Sequence, residues 1–114
     1  MKDCLFCKMA SGEIKPQLVL ETPELIAFKD IKPQAPLHVL IVPRKHIATL
    51  DDTIEPDAIL IGKMMLAAQE ITRKQGVASK GYRLVMNCND DGGQSVYHIH
   101  MHVLAGRHME WPPG

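Results

Sequence analysis

From Val96 to Leu104 the chain alternates between two kinds of position: Tyr97, Ile99, Met101 and Val103 fall on one side, and His98, His100 and His102 on the other. A period of two is the pattern of a half-buried β-strand. Side chains two apart on a strand sit roughly 6.7 Å apart on the same face, so the stretch predicts a row of three imidazoles opposite an apolar face that seats the strand on a core. One histidine on a strand is ordinarily a hydrogen-bonded packing residue. Three of the chain's six histidines in one row are more than packing needs.

Two chemistries fit such a row. A His-x-His pair can place two imidazoles on one zinc ion, with a third ligand nearby; alternatively, a neutral imidazole can attack phosphorus. The preceding segment, Asn87-Cys88-Asn89-Asp90-Asp91-Gly92-Gly93-Gln94-Ser95, favours the second. It is turn-prone and glycine-containing, and can bring backbone N–H groups and the Ser95 hydroxyl against an anion beside the row. An ordinary imidazole pKa of about 6.5 leaves the ring mostly neutral at pH 7. The expectation is a phosphoryl-transfer site.

Composition limits what surrounds that site. A chain of 114 residues, 46% of them hydrophobic, makes one domain (1–114) with one modest core. Thirteen basic residues balance thirteen acidic ones, so no broad field recruits nucleic acid or an anionic membrane, and any phosphate must be held locally. The opening Met1-Lys2-Asp3-Cys4 has no charged-then-apolar leader pattern, and no apolar run approaches the ~20 residues that span a bilayer. Three cysteines, an odd number, argue against a disulfide framework. A cytoplasmic, reducing location is expected.

The remaining elements follow from periodicity and punctuation. Asp3 is positioned to cap a short helix over 4–11, with Leu5, Phe6 and Met9 at helical spacing and Gly12 as its stop. Strands over 18–22 and 25–29 flank a Thr22-Pro23-Glu24 turn, and His38–Val42 is a continuous apolar run typical of a central strand. Pro56 begins a covering helix over 56–75, with Leu60, Met64, Ala67, Ala68 and Ile71 on one face and Met64 and Met65 as core filler. Strand 83–87 precedes the histidine strand. The order of helix, three strands, helix, two strands predicts an α+β fold with a five-stranded antiparallel sheet and two helices. Cys4 and Cys7 stand one turn apart, a weak metal signal that needs two further ligands.

The run Gln94-Ser95-Val96-Tyr97-His98-Ile99-His100-Met101-His102-Val103-Leu104 resembles the signature of the histidine-triad (HIT) superfamily. Phe28-Lys29-Asp30-Ile31-Lys32-Pro33-Gln34-Ala35-Pro36, Gly81-Tyr82-Arg83, Asn87, Asp91-Gly92-Gly93-Gln94-Ser95 and Trp111-Pro112-Pro113-Gly114 are similar to its Hint branch, the purine nucleoside phosphoramidate hydrolases. The resemblance runs nearly end to end. It implies a HIT-like fold that pairs sheet and helix across a homodimer, and hydrolysis of adenosine 5′-phosphoramidate-type substrates to AMP and an amine through a nucleotidyl-histidine.

On that resemblance His100 is the nucleophile, His102 contacts the phosphoryl and leaving groups, and His98 supports the site. Asp30 accepts the ribose hydroxyls, which suits a carboxylate because each oxygen takes one O–H. Ile31 and Phe6 border the base, while Asn87, Gly93, Gln94 and Ser95 hold phosphate. Catalysis needs no cofactor. A structural zinc is implied at Cys4, Cys7, His46 and His98, remote from the chemistry. Histidine at 102 disfavours the hexose-phosphate uridylyltransferases, which carry Gln there. The alternatives are a dinucleoside polyphosphate hydrolase and a nucleotide-binding adaptor with slow residual turnover.

Overall fold

The structure, a computed structural model, describes residues 3–114. Met1 and Lys2, part of the opening stretch read for a leader, lie outside the described residues. Strands β1 (Leu18–Glu21), β2 (Leu25–Lys29), β3 (Leu37–Pro43), β4 (Tyr82–Val85) and β5 (Met101–Ala105) form one antiparallel sheet in the order β1-β2-β3-β5-β4. Helices α1 (Leu5–Ser11) and α2 (Ala58–Lys74) complete the predicted α+β architecture. No described helix is long and apolar enough to cross a membrane.

The two helices are associated with opposite faces of the sheet, which explains why its central strands read as unbroken apolar runs. Leu25, Ala27, Val39, Ile41, Met101 and Val103 pack with Met64, Ala67, Ala68 and Ile71 of α2. The alternate residues Ile26, Phe28, Leu40 and Val42 pack with Phe6 of α1. The Phe6 and Phe28 rings meet edge-to-face at 5.6 Å, an arrangement their quadrupoles favour. The histidines share this second, α1-side face, because β3–β5 pairing sets His102 opposite Leu40. The β1–β2 turn is tied by Thr22, whose hydroxyl accepts the N–H of Leu25 at 2.9 Å while Pro23 breaks the pairing.

Several boundaries differ from expectation. Cys4, not Asp3, caps α1: its sulfur accepts the Cys7 N–H at 3.3 Å. Pro56 lies in a separate 3-10 turn, Glu55–Asp57, ahead of α2. Asp57 is buried there, bonded to the Ile54 N–H at 3.0 Å and to Lys45 Nζ at 2.6 Å, and these contacts hold its carboxyl below the usual carboxylate range. Met65 is exposed while Met64 is buried, since a 3.6-residue period turns adjacent positions to different sides. Strand β4 ends at Val85, two residues early. The histidine strand begins only at Met101, so His98 and His100 precede it on irregular chain and Tyr97 points outward, about half exposed.

Candidate active site

The loop before the triad is braced from within. Gln94 is buried, and its side-chain amide donates to the carbonyls of Ala48 at 2.8 Å and Val96 at 3.0 Å while accepting the Asn89 N–H at 2.9 Å. A Cβ on Gly92 would stand 2.4 Å from the Cys88 carbonyl oxygen, so only glycine allows this turn to close. The Gly93 N–H donates to the Asp90 carbonyl at 2.9 Å. Of the residues expected to hold phosphate, Gln94 and Gly93 thus have these groups engaged in building the loop. Ser95 lines a cavity that also borders His100 and His102, whereas Asn87, Gly93 and Gln94 do not line it.

Each triad ring is oriented by a different partner, and those partners fix which nitrogen carries the proton. His100 sits against the His98 carbonyl, with Nδ1 2.9 Å from that oxygen. A carbonyl only accepts, so Nδ1 is protonated and the Nε2 lone pair is left free in the neutral ring. The ring meets Phe6 edge-on at 5.0 Å. His98, fully buried, places Nε2 2.7 Å from the Pro43 carbonyl. Its proton is therefore on Nε2, and Nδ1 is free to ligate.

His102 is governed by a residue that the sequence reading used only as the start of a strand. His38 Nδ1 accepts the Gln34 N–H at 2.9 Å, and its Nε2 lies 2.9 Å from His102 Nδ1 and 3.4 Å from an Asp30 carboxylate oxygen. With Nδ1 accepting, a neutral His38 carries its proton on Nε2 and donates it to His102 Nδ1. The remaining His102 proton then sits on Nε2. The two rings are diagonal neighbours across β3 and β5, with centroids 5.2 Å apart. Burial pushes the pKa of His102 down to about 4, helped by the positive charge that His100 and His38 would add and opposed by Asp30. Burial lowers that of His38 too, against the pull of Asp30. The signal was a fourth histidine on the strand paired with the triad strand, visible only once pairing is known.

Asp30, His38 and His102 also lie close enough to be a second metal group. The Gln34 N–H argues against it, because a ring that accepts at Nδ1 holds a proton where the metal would bind.

The other side of the triad differs in kind. Cys4 Sγ lies 3.3 Å from His98 Nδ1, Cys7 Sγ 3.3 Å from His46 Nδ1 and 3.5 Å from His98 Nδ1, and the two ring nitrogens are 3.1 Å apart. In a zinc tetrahedron with ordinary bond lengths, sulfur–nitrogen edges are roughly 3.6 Å and nitrogen–nitrogen edges roughly 3.3 Å. These four edges match that shape to within a few tenths of an ångström, and all four donors lie within 4.8 Å of one another. Two sulfurs and two imidazoles are also the donor set zinc prefers, and the bond from His98 to Pro43 supplies the outer contact that orients a ligating ring. Without metal, burial pushes the Cys7 thiol up, with Cys4 adding to the effect.

A cavity of about 600 Å³ opens over His100 and His102. Phe6, Met9, Phe28 and Leu40 give it apolar walls, and Ser95, Asp30 and Ile31 also line it. Ile31 is 93% exposed, so it forms a rim and not a wall. The structure therefore gathers Phe6, Asp30, Ile31, Ser95, His100 and His102 around one space, and turns His98 away toward the cysteines.

The HIT domain family pattern matches residues 11–109. This chain belongs to the HIT family. Among solved structures it is similar to a HIT family hydrolase from Legionella pneumophila, with a TM-score of 0.96 and 51% identity, covering 98% of this chain and 100% of that one. A histidine triad nucleotide-binding protein from Candida albicans matches with a TM-score of 0.81 and 28% identity, over 96% of this chain and 83% of that one. A Zn-bound histidine triad family protein from Mycobacterium smegmatis matches with a TM-score of 0.81 and 28% identity, over 93% of this chain and 76% of that one. In this HIT chain the triad is thus divided between a potential metal cluster and a cavity.

Proposed function

We propose that this protein is a nucleotide-binding hydrolase that cleaves purine nucleoside phosphoramidates through a nucleotidyl-His100 intermediate. The observation that carries the reading is the bond from His100 Nδ1 to the His98 carbonyl, which presents an unprotonated Nε2 beside a nucleotide-sized cavity. That nitrogen attacks the α-phosphorus. The phosphorus–nitrogen bond breaks and the amine departs with a proton; water then attacks the phosphorus, breaks the bond to His100 and releases the nucleoside monophosphate. Covalent catalysis divides one displacement into two. The His102 Nε2–H and the Ser95 hydroxyl supply donors for charge on the phosphoryl oxygens and leaving nitrogen.

The substrate anion favours protonation of His102, which its burial disfavours in the free protein, so a proton for the amine is most available when substrate is bound. Asp30 takes the ribose hydroxyls with the acceptor capacity left beside its bond to the Lys32 N–H, and the walls around Phe6 and Phe28 take the base. Hydrolase and nucleotide-binding relatives support the same reading. Rapid-quench mixing with adenosine 5′-phosphoramidate followed by peptide mass spectrometry should find the nucleotidyl group on His100. Label on another histidine sinks the assignment. Faster turnover of a dinucleoside polyphosphate, or tight AMP binding without hydrolysis, moves the protein to one of the alternatives.

Cys4, Cys7, His46 and His98 fit a structural zinc, which would lock α1 to the chain leading into β5. The exposed apolar residues Ile54, Ile59, Met65, Leu66 and Trp111 support a homodimer, since a small domain hides such surface by pairing with its own copy. Sedimentation at micromolar concentration should give twice the chain mass, and a monomer there removes the dimer from the proposal.

A further inference from the structure

The hydrogen-bond chain that sets the His102 proton does not stop at His38. It depends on where the Gln34 N–H points, and Gln34 lies on an irregular loop, 30–36, between β2 and β3. Within the loop, Asp30 accepts the Lys32 N–H at 2.8 Å and the Gln34 side chain donates to the Lys32 carbonyl at 3.1 Å. These contacts move with the loop. An outside grip comes from Arg107, two residues past the end of β5, whose Nε donates to the Gln34 carbonyl at 2.9 Å while Nη1 reaches the His108 carbonyl at 3.2 Å. Beside it, a Cβ on Gly106 would stand 2.8 Å from Cβ of Pro36. The exit of β5 presses on the loop closely enough to exclude a side chain.

We propose that Arg107 is a positioning residue for the leaving-group histidine: by holding the Gln34 backbone from outside the loop, it selects the tautomer of His38 and, through His38, that of His102. In a neutral imidazole either nitrogen can hold the single proton, and the choice follows the partners. With the Gln34 N–H in place, His38 carries Nε2–H, His102 accepts at Nδ1, and His102 Nε2–H faces the cavity. Without that donor, the Asp30 carboxylate 3.4 Å away is what still favours a proton on Nε2, and His38 gains a second population that holds its proton on Nδ1 and presents a lone pair at Nε2. His102 must then protonate Nδ1 to avoid two facing lone pairs, and its cavity-side nitrogen loses the proton. Arg107 is exposed, so solvent screens its charge and its effect is the geometry of the grip. The catalytic meaning of this tautomer rests on the reading of the preceding subsection. The tautomer itself does not.

Long-range nitrogen–proton correlation spectra of the imidazoles in ligand-free protein at neutral pH test it directly. Wild-type protein should show protonated Nε2 and bare Nδ1 on both His38 and His102. In Arg107→Ala both rings should shift toward averaged nitrogens, and kcat should fall about five- to tenfold with a smaller change in KM, the weight of one hydrogen bond in a two-state population. Arg107→Lys, which keeps a donor, should recover part of both. Unchanged ring nitrogens in Arg107→Ala overturn the proposal, as does a large rise in KM with unchanged nitrogens, which is a loop displaced at Asp30. Shifted nitrogens with unchanged kcat uphold the role of Arg107 and instead remove His102 from the chemistry proposed above.

Discussion

His98 and His102 stand four residues apart on one segment, yet their surroundings make them opposite kinds of group. His98 gives its proton to the Pro43 carbonyl and turns a bare Nδ1 toward two sulfurs and His46. His102 accepts from His38 at Nδ1 and presents a proton on Nε2 to the cavity. Between them, His100 is fixed by the His98 carbonyl with its lone pair outward. In the function proposed above the row serves as a ligand, a nucleophile and a donor in sequence, and the difference lies in which ring nitrogen each neighbour occupies. Burial alone does not sort them, because it disfavours the charged form of both His98 and His102.

The largest expected effect tests the middle of the row. His100→Ala removes the attacking lone pair and should lower turnover by roughly 10³-fold or more while AMP still binds by titration calorimetry. His102→Asn should still label His100, but more slowly, because expulsion of the amine is the step that forms the label. Equal losses in the two variants, with no labelling in either, break the division of roles.

Next in size is the metal end. Cys4→Ser together with Cys7→Ser should reduce bound zinc from about one per chain to none, by metal analysis of protein purified without added zinc. Stability should fall by roughly 4 kcal/mol if free zinc stands a thousandfold above its Kd. His98 would lose its role as ligand but keep its carbonyl against His100, so turnover at low temperature should change far less than thermal stability. Sub-stoichiometric metal with full stability in the unaltered protein would leave the cysteines as packing.

How legible this was depended on whether a residue's role is local or relayed. The alternation of Ile99, Met101 and Val103 against the histidines is a property of consecutive positions, so the core face and the triad could be read directly. The apolar run of β3 gave the central strand for the same reason. His38 could not be assigned that way, because its partner His102 is 64 residues distant and only β3–β5 register brings the rings together. Gln94 shows the complementary limit. Its place in the turn before the triad was visible, but the engagement of its amide by Asn89, Ala48 and Val96 depends on a loop closure that no spacing reveals. The length of β5 was overestimated because the period-two pattern continues through His98 and His100, where the backbone has left the ladder.

The smallest effect is a pH dependence confined to the donor end. The folded pKa of His102, about 4, lies below the unfolded value of about 6.5, so between those two limits the unfolded chain binds more protons at this residue. Stability then rises with pH through that window; the contribution of His102 is fully present above about 6.5 and is lost as pH falls toward 4. Denaturant titrations at several pH values should show this slope, and His102→Asn should flatten part of it. Metal release at low pH adds a slope of its own, so the comparison uses the double Cys→Ser background, in which the slope that His98 contributes is common to both series. If the two titration series run parallel in that background, His102 is not held neutral by its site, and the contrast between the two ends of the row reduces to geometry.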